Sequence, residues 1–247
     1  MSAVARLNEP AMAVSGYVTA WLRSPGGAWV QSGPPVHNIA TNWALQTLAS
    51  WYLGVSNVPG SPNAILAPTY VALGIGSGTA STTDLFGWAE QYGTRTPISY
   101  TALYQGTTAQ ATASYQSTQA NGTWSEAMFF DSDVGAASVG AAGVLAGATS
   151  LPLASGAPAV TGGSIAGQYE TIYLNDATHP EYCSIATTAA AGAPSWTLQA
   201  GLKYAHAAST PIIVFGGNLW AHSSISVAKA AGQQLSVQWS VPFAAQA

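Results

Sequence analysis

Along much of the chain, apolar and polar residues alternate with the two-residue period of a strand that has one dry face. The clearest stretch is the last, where Leu235, Val237, Trp239 and Val241 alternate with Ser236, Gln238 and Ser240. The same reading predicts strands over residues 17–22, 69–75, 123–130 and 219–227, and a pair over 98–104 and 108–115 around Gly106. Asn121-Gly122 and Ser24-Pro-Gly-Gly27 supply turn chemistry between them. One segment breaks the pattern. Ile39, Trp43, Leu45, Leu48 and Tyr52 recur at helical spacing, Gly54 stops the run, and Asn38 or Thr41 is its candidate cap.

Between Asp133 and Gly217 the character changes. Residues 135–147 are nearly all Ala, Gly, Val and Ser, and short strands are predicted at 150–153, 169–174, 182–187, 196–198 and 211–215. Long alternating strands resume only after Gly217. The expected organisation is therefore an N-terminal arm and first strand (1–37) and a split β-sandwich domain (38–135 and 217–247). A small β-sandwich or barrel domain (136–216) would be inserted in it. The expected fold class is all-β, mainly an antiparallel sandwich with one helix.

Composition changes this picture in one respect. Lys and Arg number 5 and Asp and Glu 9, so 6% of the 247 residues are charged, against about 25% in a typical soluble domain. Ser, Thr, Ala, Gly, Gln and Asn take their place. The nine Trp, eleven Tyr and five Phe argue against disorder and for real cores. A surface this neutral suits a subunit packed among neighbours. Scattered cations and a net charge of −4 argue against direct nucleic-acid binding. No apolar run is long enough for a membrane helix. The first residues lack the basic start and apolar run of a signal peptide, so the expectation is cytoplasmic synthesis without a secretion address.

The candidate chemistry is thin. Cys183 is the single cysteine, which excludes an internal disulfide and a Cys-based zinc site and leaves it as a small buried hydrophobe. Gly74-Ile-Gly-Ser-Gly78 follows a strand but matches neither form of phosphate loop, and reads as a turn. Asp131-Ser-Asp133 has the start of a calcium loop without its remaining ligands. Glu126 lies inside a strand without a second acid nearby in sequence, and reads as an ion-pair partner of Arg95 or a backbone cap. Asp176, His179 and Glu181 share one turn. His37, His179, His206 and His222 show no metal spacing, and no G-x-S-x-G elbow occurs. No catalytic, metal or cofactor set emerges, and a non-enzymatic protein is expected.

The succession of motifs is more telling. It runs Asn42-Trp-Ala-Leu45, Tyr70-Val-Ala-Leu-Gly74, Thr83-Asp-Leu85, Arg95 and Asn121-Gly-Thr-Trp-Ser-Glu-Ala-Met-Phe-Phe130, then Leu219-Trp-Ala-His222 and Leu235-Ser-Val-Gln-Trp-Ser-Val-Pro-Phe243. This resembles a diffuse group of tailed-bacteriophage virion proteins of the tail, fibre or decoration type. His222 stands where that group commonly has arginine, so the resemblance does not carry an ion pair with Glu126 onto this chain. Residues 148–153, 181–184, 196–198 and 202–206 are similar to small β domains within virion proteins. The resemblance implies a structural component in many copies, at a tail tip, baseplate, fibre or capsid surface. Its partners would be other virion proteins and copies of itself. The alternative is a carbohydrate- or receptor-binding module that contacts host surface glycan, with Trp88, Tyr92, Trp196 and Tyr204 as candidate stacking aromatics.

Overall fold

The computed structural model describes residues 15–42, 44–45, 68–78, 80–81, 84, 86–87, 89–101, 108–163 and 169–242. Its strands, in chain order, begin with β1 (Ser15–Arg23), β2 (Val30–Gln31), β3 (Val36–Ala40), β4 (Tyr70–Gly74), β5 (Thr96–Thr101), β6 (Thr108–Tyr115) and β7 (Gly122–Phe130). Six short strands follow: β8 (Gly135–Ser138), β9 (Ser150–Pro152), β10 (Thr171–Leu174), β11 (Glu181–Ser184), β12 (Ser195–Thr197) and β13 (Pro211–Val214). The last two are long, β14 (Leu219–Lys229) and β15 (Gln234–Pro242). The protein is nearly all-β, as its alternation predicts.

The long strands form one antiparallel sheet in the order β15-β6-β5-β4-β7-β14-β3-β1, and β15 pairs back onto β1. The result is an eight-stranded barrel, where the sequence suggested an open sandwich. Closure rests on a continuous register from Tyr17 opposite Ser240 to Arg23 opposite Gln234. Period-two alternation gives every strand one dry face but does not say whether that face meets a second sheet or the inside of a barrel. The long-range β1–β15 pairing decides it.

The barrel interior is filled by Val18, Val71, Leu73, Tyr115, Trp124, Phe129, Trp220, Leu235, Val237 and Trp239, interleaved with Ala20, Ala111, Ala113 and Ala127. An eight-stranded barrel is just wide enough for such mixed large and small side chains. Trp239 packs its ring 5.0 Å from that of Phe129. Gly16 of β1 must lack a side chain, because a Cβ there would lie 2.4 Å from the Trp239 indole nitrogen.

On the outer side of β4, β7 and β14, Ala72, Met128, Phe130 and Leu219 make a separate dry patch. The described part of segment 75–93 crosses over it, with Gly87 so close to Met128 that a Cβ would collide with the sulfur. Residues 36–40 are strand, so Asn38 and Ile39 do not start a helix. Thr41 is the cap: its hydroxyl accepts from Ala44 N–H at 3.4 Å, above a helical turn that includes Asn42, Ala44 and Leu45. Trp43 and the rest of the expected helix, to Tyr52, lie outside the described residues.

The short strands form a four-stranded sheet, β11-β10-β13-β8, and a pair, β12-β9. Single bridges Val139–Leu153 and Ile185–Leu198 join the two sheets at both edges. They enclose their own core of Leu151, Ile172, Leu174, Ile185, Trp196, Leu202 and Ile212. We expect Trp239→Ala to lower the unfolding free energy by about 3–5 kcal/mol in denaturant titration. A loss below about 1 kcal/mol would mean that the ring does not fill the barrel core.

Candidate functional site

Polar chemistry gathers beneath segment 75–93, at the crossing between the two strand sets, and inside the short-strand unit. On the barrel's outer side, β7 places Glu126 and β14 places His222 next to each other, both without solvent exposure. His222 Nε2 lies 2.9 Å from Glu126 Oε2, and its Nδ1 lies 2.8 Å from Asp84 Oδ2. Glu126 Oε1 accepts from the backbone N–H groups of Ala89, at 2.7 Å, and Gly76, at 3.2 Å. Asp84 accepts from Ser81 N–H at 2.9 Å. Gly74 is required here, since a Cβ would stand 2.0 Å from Glu126 Oε1. The glycine-rich stretch therefore grips an anion, and that anion is the protein's own carboxylate.

Burial pulls the His222 pKa down, but the hydrogen bonds and charges of Asp84 and Glu126 outweigh it and hold it above the ordinary 6.5. As an imidazolium, His222 donates from both nitrogens to two carboxylates. The arrangement is an ionic clamp between two barrel strands and the segment that covers them.

Of the two expectations for Glu126, the backbone cap holds and the ion pair with Arg95 does not. Arg95 forms a two-pronged ion pair with Glu90, Nε–Oε1 at 2.9 Å and Nη2–Oε2 at 2.7 Å. Its Nη1 donates to the carbonyls of Ser132, at 3.0 Å, and Gly216, at 2.7 Å, and its plane lies over Phe130. Ser132 is on the way from β7 to the short strands and Gly216 on the way back. Asp131 joins the same two crossings by accepting from the backbone and side-chain N–H groups of Asn218 at 2.9 and 2.7 Å. Asp133 accepts instead from Val134 N–H, so the two acids of the supposed calcium-loop start do separate work.

A second Asp-His-Glu clamp sits in the short-strand unit. His206 Nδ1 lies 3.0 Å from Asp176 Oδ2, and Nε2 lies 2.7 Å from Glu181 Oε1. Glu181 also accepts from Lys203 and Tyr204 N–H, and Asp176 from Thr178 and His179 N–H. These bonds, with the Thr178 hydroxyl and His206, hold the Asp176 carboxyl well below the usual range. Asp176 and Glu181 are thus brought to His206, and His179 stacks on Tyr204 with ring centres 4.6 Å apart. The turn was legible in the sequence, but its partner lies 25 residues beyond Glu181. Cys183 is half-buried against this core, and burial, aided by Glu181, pushes its thiol up to about 12.

The stacking candidates are dispersed. Tyr92 is 44% exposed and stacks on Tyr173 at 4.8 Å, in a row continued by Tyr182 and Phe215. Tyr204 is exposed and lines a groove of ≈500 Å³ with Tyr182, Lys203, Gln199 and Ser184. Trp196 is 1% exposed and serves the short-strand core, so it offers no face to a ligand. Trp88 lies outside the described residues. Glu90, Asp84 and His206 were not singled out as site residues by sequence, because none has a partner within a recognisable spacing. Compared with protein-family models, curated proteins and solved structures, the chain matches none.

Replacing His222 with Gln leaves Glu126 buried beside a neutral group, and we expect a loss of about 3–5 kcal/mol in denaturant titration. The wild type should also respond to pH. The folded state binds the His222 proton more tightly than the unfolded chain, so the clamp's contribution is fully present below about pH 6.5. It is lost as pH rises through the higher folded value. The difference in melting temperature between wild type and His222→Gln should therefore narrow at alkaline pH; a constant difference would contradict the clamp.

Proposed function

We propose that the chain is a non-enzymatic structural component of a tailed-bacteriophage particle, in the tail tip, baseplate, fibre or capsid decoration. It acts there through contacts with other virion proteins and copies of itself, and is assembled in the host cytoplasm. One observation carries this reading beyond the resemblance. The few charges are directed inward: among the described charged residues, only Asp133 and Lys203 are exposed. What remains outside is Ser, Thr, Ala, Gly and Gln with large apolar groups such as Trp29, Val30, Tyr100 and Leu145. Burying such a surface between subunits strands no unpaired charge, which is the main desolvation cost of an interface. The short strands over 136–216 are taken as an inserted domain, supported by their separate core.

Light scattering at several concentrations tests the proposal. The expected result is a closed oligomer such as a trimer or hexamer; a monomer at every concentration would overturn the self-assembling tail and fibre readings and leave decoration of a preformed shell or the sugar-binding alternative. The groove beside Tyr204 favours a second reading, a carbohydrate- or receptor-binding surface, because a tyrosine face among polar side chains suits a sugar ring. Glycan-array binding that disappears in Tyr204→Ala supports that reading; no binding to any glycan removes it.

A further inference from the structure

The fully buried acids of the described residues are Asp84, Glu90, Glu126 and Glu170. The first three touch a cationic side chain, Arg95 or His222. Glu170 is the exception. It is 3% exposed, yet its bonding partner is the neutral Thr161, whose N–H donates to Oε2 and whose hydroxyl donates to the same carboxylate. Arg95 acts on it only through space, its guanidinium being committed to Glu90, Ser132 and Gly216. Burial consequently pushes the Glu170 carboxyl up from its ordinary value.

Glu170 also lies on the wall of a cleft of ≈560 Å³ between the barrel and the short strands. Its Oε1 faces Gly216, where a Cβ would come within 3.2 Å. Phe86 and Leu219 line the barrel side, and Val160 and Ala189 the other. From this geometry we propose that the cleft is a binding site for an organic cation, an ammonium or guanidinium on an aliphatic stem, with Glu170 as its counter-ion. A divalent metal does not suit it, because such ions need about six oxygen ligands, and among the described residues the cleft offers one carboxylate, with Thr161, Thr188 and Asn218 as its other polar side chains. A lysine or arginine side chain of a neighbouring subunit has this chemistry, as does a small free amine: the charged head meets the carboxylate and the stem covers the apolar surface. This inference does not depend on the phage reading.

The full chain titrated with n-butylammonium tests the site, with the amide signals of Thr161 and Gly216 followed by NMR. Saturable shifts are expected. They should be weaker by about tenfold or more with uncharged n-butanol, and by a similar factor in Glu170→Gln, which keeps an acceptor for Thr161 N–H. Equal affinity for the alcohol and the amine in wild type overturns the proposal even if the variant fails to fold. Unchanged amine affinity in a folded Glu170→Gln also overturns it. Light scattering in the presence of n-butylammonium separates the two sources. A fall in mass identifies a basic side chain of a second copy as the occupant, and saturable binding without one identifies a free amine.

Discussion

An ionised carboxylate cannot stay in a dry interior unless charge and hydrogen bonds replace its water. Glu126 meets that condition only through an arrangement that reaches well beyond itself. Its oxygens draw in His222 from β14 and the backbone of Gly76 and Ala89, and His222 draws in Asp84. The placement of the described part of segment 75–93 over the barrel follows from these bonds, and so does the glycine at position 74. Once the segment is held there, Glu90 lies beside Arg95, and Arg95 reaches both crossings to the short strands. One buried acid thereby influences where the second unit enters and leaves the barrel.

This arrangement explains the low charge content. Most ionic groups among the described residues work as internal fasteners, where a small number of well-satisfied bonds in a low-dielectric setting carries weight. The exterior is left neutral, with exposed aromatic and aliphatic groups rather than Lys and Glu. Such a surface gains little from electrostatic steering and loses little on desolvation.

The same Asp-His-Glu device occurs twice, with different surroundings. Around His222 both acids are almost fully dry, whereas around His206 their side chains keep 14% and 9% exposure. Water is nearer the second clamp, so its charges are better screened and its removal should be felt less. The sequence showed Glu126 as an acid within an apolar strand, and the turn holding Asp176 and Glu181. It did not show their histidines, because the pairs are separated by 96, 30 and 25 positions and only the tertiary fold brings them together.

By itself the sequence determined seven of the eight barrel strands, all but β3. Alternation is a local property, and it places Leu235, Val237, Trp239 and Val241 on the inner face where they are found buried. It also marked the change of character after Asp133, whereas the turn before β7 closes at Gln116–Gln119, ahead of the expected Asn121-Gly122. What it could not determine is how strands far apart in the chain meet. Barrel rather than sandwich, strand rather than helix at Ile39, and Glu90 rather than Glu126 as the partner of Arg95 all follow from long-range pairing. β1 joins β15 across more than two hundred residues, and β14 brings His222 to β7 across almost a hundred. These choices depend on the summed packing and hydrogen bonding of the whole barrel, so they were settled only when it closed.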